Sequence, residues 1–221
     1  MQGIPSADVR QFDVISPQTL SEADRRAVAA WAADCAERVL GLFEAEAPGD
    51  ARPRDAIART RAFAAGSLDV AEEIRRRFVG GGAARDRSAC AAAAARAAGQ
   101  ASAVAHMGAH ALGAAAYAAE AAGLAAPARP QAIGDEIRWQ LGRLSAPVRA
   151  ALRTLPMVGE NSSGPLGPGS LASGRLGAII REIQACLADP EHVLSAEWQT
   201  DLEGRSATAR PTTGGRNRAP R

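Results

Sequence analysis

Apolar residues recur at spacings of three and four along most of the chain, and strand-type alternation is nearly absent outside a few residues near Phe12 to Ile15. From Ser21 onward, Val28, Trp31, Cys35, Val39 and Leu42 form one stripe, widened by Leu40 and Phe43, which predicts a long amphipathic helix. Ser21 with Asp24 three residues later is an acceptable capping box, since the serine oxygen can accept an amide proton of the first turn. Pro48-Gly49-Asp50 ends that helix, and Pro53 suits the first turn of the next, through Ile57 to about Phe63. Ser67 or Asp69 can cap a third, with Leu68, Ala71, Ile74 and Phe78 on one side, before Gly80-Gly81-Gly82 breaks the pattern.

An alanine-rich tract then runs to Gly123 and predicts a central helix, closed by "APARP". "QAIGDEIRWQLGRL" follows, and a short helix is expected after Ser145, starting around Pro147. "PMVGENSSGPLGPGSLASG" is too rich in Gly, Pro and Ser for regular structure. A last amphipathic helix carries Leu176, Ile180, Ile183 and Leu187, and a shorter segment with Leu194, Trp198 and Leu202 can pack after it. The expected fold is all-α: a multi-helix bundle around an Ala/Gly-rich helix. An extended segment at 1–18 precedes a helical domain at 19–203, and a disordered Arg-rich tail at 204–221 follows it.

Composition sharpens this. Alanine is the best helix former and small enough to let helices approach closely. All 26 basic residues are arginine, a mark of GC-rich coding more than of function. The formal net charge of +2 hides an asymmetry: the tail "GRSATARPTTGGRNRAPR" holds five arginines and no acid, so residues 1–203 stand at −3. Cys35, Cys90 and Cys186 are odd in number, widely spaced and without a CxxC pair, which fits reduced thiols in a cytoplasmic protein. The start of the chain lacks a basic stretch followed by an apolar run, so no signal peptide is expected. Residues 97–119 are about long enough to span a bilayer, but alanine is barely hydrophobic and the tract carries two histidines and several glycines. A buried helix is the expectation there, with no membrane partner.

Two blocks of the chain look familiar. "AWAADCAERVLGLFEAEAPGDARPRDAIARTRAFAAG" contributes Trp31, Cys35, Glu37, Leu40, Phe43 and Glu44, then Pro48, Asp50, Arg52, Pro53, Arg54, Ala56 and Ile57. "ARAAGQASAVAHMGAHALGAAAYAAEAAG" contributes Gln100, His106, His110, Gly113 and Tyr117 among its alanines, and "DEIRWQL" continues more weakly. Together, over residues 21 to about 144, they resemble the Imm-5-like putative immunity proteins of bacterial polymorphic toxin systems. The insert "RRRFVGGGAARDRS" departs from the helical pattern expected there. The resemblance implies an all-α fold and a non-enzymatic partner that neutralises a cognate toxin domain by stoichiometric binding. The mildly acidic body suits a basic toxin, such as a nuclease, through complementary charge.

Candidate chemistry centres on "HMGAH". At 100° per residue, Gly99, Ser102, His106, His110, Gly113, Tyr117 and Glu120 share a narrow sector if the tract is one helix. Ser102, His106, His110, Tyr117 and Glu120 are therefore a candidate binding stripe. Histidines at i and i+4 can hold zinc, but the glutamate of HExxH is missing, and a third ligand must come from elsewhere, for example Glu37 or Glu44. The alternatives are a tightly packed helix with internally bonded polar groups, a ligand or partner site, and a metal site or enzyme. Packing ranks first, binding second and catalysis last, and no metal or cofactor is assigned. Asp50, Arg52 and Arg54 form a second candidate, either a helix corner fixed by proline and ion pairs or a contact for an acidic partner. There Arg52 and Arg54 are expected to reach Glu44 and Glu46.

Other motifs exclude functions. Gly169 to Gly174 is followed by Arg175-Leu176 in place of Lys-Ser/Thr, and no strand precedes it, so it is not a phosphate loop. No serine has a histidine and acid arranged around it, and Cys35 lies on an apolar stripe. The tail lacks interleaved aromatics, so no specific nucleic-acid partner is expected. It also has no apolar cluster to bury, so deleting residues 205–221 should leave the melting temperature nearly unchanged. A loss of several degrees on truncation would show that the tail docks on the body.

Overall fold

In a computed structural model, the protein is described over residues 16–76 and 82–194. The strand-like pattern near Phe12, the side chains of Ile74 and Phe78, Gly80 and Gly81, the Trp198 segment and the basic tail lie outside the described residues. Among the described residues there are eight α-helices and no strand. They are α1 (Glu22–Glu44), α2 (Arg52–Ala64), α3 (Val70–Arg76), α4 (Ala89–Ala103), α5 (His110–Ala125), α6 (Ala132–Gly142), α7 (Ala146–Arg153) and α8 (Gly174–Ala188). A single 3₁₀ turn, Ser170–Ala172, precedes α8. None of the helices is long and apolar enough to cross a membrane.

The helix starts follow local chemistry. Ser21 accepts from the Asp24 amide at 3.1 Å and donates to the Asp24 carboxylate at 2.7 Å. Asp69 caps α3 by accepting from the amides of Ala71 and Glu72, and Ser145 caps α7 through the Val148 amide. Pro53 occupies the first turn of α2, where its missing N–H has no helical partner to lose.

α5 is the axis. Residues 111–119 are all buried, six of them alanine. A helix apolar on every side must be covered on every side, and α1, α4, α6 and α8 all pack against it. Alanine brings little volume, so bulky side chains on the surrounding elements fill the space: Phe43 of α1, Phe63 of α2, Ile137 of α6, and Ile179, Ile180 and Ile183 of α8 are fully or almost fully buried. Polar ties cross the layers at α6, where the buried Trp31 indole donates to the Gln140 carbonyl at 2.9 Å and the Gln140 amide donates to the Ala115 carbonyl of α5 at 3.1 Å.

The alanine tract does not form the single helix expected up to Gly123. It breaks over 104–109 into α4 and α5, which pack side by side. Gln100 meets His110, and Arg96 meets Tyr117, so the two run antiparallel as a hairpin. The cause lies in residues 18–20. The amides of Gly108 and Ala109 donate to the carbonyls of Thr19 and Gln18, both at 3.0 Å, instead of continuing the helical ladder. Gly108 lets Leu20 pack close: a Cβ there would lie 2.4 Å from the Leu20 Cδ1 atom, so that side chain would have to move.

Gln18 is almost wholly buried, and its side-chain amide binds the glycine-rich loop at two points. Its Nε2 donates to the Ser163 carbonyl at 2.7 Å, and its Oε1 accepts from the Leu166 amide at 2.9 Å. That loop is irregular as expected apart from the 3₁₀ turn, and it is pinned by a side chain that precedes α1 in the chain. Replacing Gln18 by alanine strands the buried Leu166 amide and removes the bond to the Ser163 carbonyl, and should lower unfolding free energy by about 1–3 kcal/mol in denaturant titration. Gly41, exposed in the last turn of α1 with nothing within 4 Å of where a Cβ would stand, is the contrast. Gly41→Ala should leave stability unchanged or raise it by up to about 1 kcal/mol.

Candidate functional site

The break in the alanine tract redistributes the candidate stripe. Ser102 remains on α4 with Gly99, His106 falls in the connection, and His110, Gly113, Tyr117 and Glu120 line α5. The stripe is therefore not one face of one helix. Its α5 part is covered by α4 and by the 3₁₀ turn: a Cβ on Gly113 would meet the Gln100 amide at 2.5 Å and Leu171 at 3.0 Å. Ser102 donates to the Gly99 carbonyl at 2.9 Å, a bond within its own turn. Tyr117 is buried, with the Arg96 guanidinium 6.0 Å from its ring centroid.

His110 Nδ1 lies 2.8 Å from Gln100 Oε1. With an amide oxygen as acceptor, the imidazole carries its proton on Nδ1. Burial, and to a lesser degree the neighbouring His106, pushes its pKa down to about 4, so the ring is neutral at neutral pH. Glu120 shifts the other way: burial raises its pKa, against the opposing pull of Arg175 and Arg96. The third zinc ligand considered from sequence does not arrive, because Glu37 pairs with Arg61 and Glu44 with Arg54.

At the second candidate, Arg52 chelates its near neighbour Asp50 instead of reaching α1, with Nε–Oδ1 at 2.8 Å and Nη2–Oδ2 at 2.5 Å. Hydrogen bonding from Arg52 holds the Asp50 carboxyl down to about 2. Arg54 does reach Glu44, at 2.6 Å. Glu46 accepts from the Ser88 amide at the start of α4, which lowers its pKa. The expected pairing of Arg52 with Glu44 or Glu46 is thus replaced, since Asp50 lies two residues away and Glu46 is engaged by α4.

A third locus was not among the candidate sites read from the sequence. Asp34, Glu37, Arg38, Arg61, Trp139 and Arg143 line an open cleft of about 330 Å³ where α1, α2 and α6 meet. Arg61 bridges Asp34, at 2.9 Å, and Glu37. Arg38 binds the buried Glu136 carboxylate at 2.7 Å. Its guanidinium lies over the half-buried Trp139 ring at 4.3 Å from the centroid, with Arg143 at 5.8 Å. Two cations on one indole hold a large aromatic surface at the rim in a defined position. The available signal was "DEIRWQLGR" itself, with Trp between two arginines.

Only one group of His, Cys, Asp and Glu among the described residues is close enough to hold a metal ion: Glu182, Cys186 and His192, with donor atoms all within 4.8 Å of one another. A Glu-x-x-x-Cys pair at helical spacing and a histidine six residues on, past Pro190, was the signal in the sequence. Cys35 is wholly buried, with its thiol pKa raised well above normal by burial, so it is no nucleophile.

The His110 shift predicts a pH dependence with a definite sign. The unfolded chain takes up the proton first, near pH 6.5, and the folded chain only near 4. Stability present above about pH 6.5 therefore declines as pH falls towards 4, by at most about 3 kcal/mol. His110→Gln cannot protonate and should flatten this part of the stability profile relative to the parent in denaturant titrations across that window. Parallel profiles would refute the shift.

No curated protein and no solved structure matches the chain. A family model does, the Imm-5 like putative immunity protein, over residues 18–147. The matched region begins at Gln18, the residue that pins the loop, and it covers α1 through α6, with both candidate sites and the Trp139 cleft. Over more than half its length, then, this chain carries that family's pattern on an all-helical bundle, and it belongs to the Imm-5 like putative immunity protein family.

Proposed function

We propose that the protein is an immunity protein that neutralises a cognate toxin domain in the cytoplasm by forming a stoichiometric complex, without catalysing a reaction. The carrying observation is the family match over residues 18–147. The state of His110, neutral and committed to Gln100, is in keeping with a packing role for the histidine stripe.

The contact face best suited to a protein partner is the cleft of α1, α2 and α6. Trp and Arg dominate binding energy in protein interfaces, where a large flat side chain fills a pocket and excludes water. Trp139 supplies such an anchor, and Arg38, Arg61 and Arg143 supply donors around it. The edge of α1 and α2 extends this face through Arg54–Glu44. On this reading the histidine stripe serves the packing of the α4–α5 hairpin, and Asp50 with Arg52 holds the corner.

Co-expression with the toxin domain encoded beside its gene tests the proposal. The expected results are restored growth and a one-to-one complex on size-exclusion chromatography. Trp139→Ala and Arg143→Glu should each weaken that complex by about 2 kcal/mol, roughly 30-fold in Kd, with helical content unchanged. Unaltered affinity in both variants would move the interface elsewhere. Failure to form any complex, with growth unprotected, would reject the immunity role.

A further inference from the structure

Beyond the matched region, α8 and the turn after it assemble a donor set unrelated to the Trp139 cleft. Glu182 and Cys186 are four residues apart on α8 and so share a face. Both are buried, at 7% and 6% exposure. The helix ends at Ala188, and the chain folds back at once: the Glu191 amide donates to the Asp189 side chain at 2.9 Å and the His192 amide to the Asp189 carbonyl at 3.1 Å. This turn returns His192 over the last turns of α8, its Nε2 atom 3.2 Å from Glu182 Oε1. The sulfur, carboxylate and imidazole donors lie within 4.8 Å of one another. Cys186 and His192 also line a cleft of about 370 Å³ between α6, α7 and α8.

We propose that Glu182, Cys186 and His192 form a binding site for a zinc-class divalent ion, with its fourth coordination position open to this cleft. One thiolate, one imidazole and one carboxylate is a borderline-soft set that suits zinc and poorly suits calcium or magnesium, which take oxygen ligands. Charge also closes, since a thiolate and a carboxylate together neutralise a dication. Burial and the nearby Glu182 raise the Cys186 pKa, with Arg149 opposing, so the thiol is protonated in the metal-free protein. Its proton leaves to solvent as the metal–sulfur bond forms. His106 and His110 do not compete, because Gln100 occupies His110 Nδ1 and no third donor joins them among the described residues. The proposal does not depend on the immunity reading, since neither the donors nor the cleft's Cys186 and His192 wall lies in the matched region.

Full-length protein stripped with chelator and titrated with zinc chloride in a calorimeter provides the test. One equivalent should bind, and the melting temperature should rise with free zinc. Cobalt(II), as a spectroscopic probe, should give a thiolate charge-transfer band and the intense visible bands of a tetrahedral site. Cys186→Ser and His192→Gln should each weaken zinc by at least about 100-fold, the upper end of what losing a mere supporting partner costs, and Cys186→Ser should abolish the charge-transfer band. Cys90→Ser should leave both unchanged. His192 is partly exposed, so its variant keeps the test sound if the cysteine variant does not fold. Absence of saturable binding, or binding that survives both ligand substitutions, would overturn the proposal.

Discussion

A helix made largely of alanine can be stabilised only by neighbours that come close on every side, and α5 sets that condition for the rest of the molecule. A buried alanine methyl removes little apolar surface from water, so the gain per residue is small. Close approach multiplies weak dispersion contacts instead, and any gap along α5 would forfeit them. The bundle answers with four helices around one axis, and its Phe, Ile and Leu side chains supply the volume that alanine lacks.

The same requirement explains the knot around Gln18. The turn between α4 and α5 interrupts helical hydrogen bonding at the edge of the core, and buried amides need partners. Residues 18 and 19 supply carbonyls to that turn, and the Gln18 side chain supplies both a donor and an acceptor to the loop before α8. One buried residue thus couples the segment before α1, the hairpin turn and the glycine-rich loop. A polar network of this kind is rigid only while every member is satisfied.

On the proposed reading, function is distributed differently from stability. In the alanine hairpin, His110 is bonded to Gln100 and Tyr117 is buried beside Arg96. Charge and aromatic surface gather on two sides of α6: Trp139 with three arginines on one, and the cleft beside Cys186 and His192 on the other. Ion pairs run along the α1–α2 edge from Glu44–Arg54 to Asp34–Arg61. Exposed pairs of this sort add little stability but fix the direction in which each guanidinium presents its donors.

Element type was legible in the sequence wherever spacing and caps agreed. The stripe from Val28 to Leu42, Ser21 with Asp24, Pro53, Ser145 and the Leu176–Leu187 stripe each specify a helix locally, because the apolar period and the cap chemistry involve residues only a few positions apart. The family pattern was legible for a related reason, as two ordered blocks of residues. The break at residues 104–109 was not legible, because alanine favours helix on both sides of it and the partners that end the helix are the carbonyls of Gln18 and Thr19, about ninety residues earlier in the chain. For the same reason a stripe projected along one helix became a seam between two. Arg52 took Asp50 in place of a residue on α1, and Trp139 found its cations on α1 and just past α6. Cys186 found a histidine only once the turn at Asp189 folded back. Local periodicity decides what each segment becomes; which side chains meet depends on long-range backbone hydrogen bonds and packing, and these were decided only in the tertiary structure.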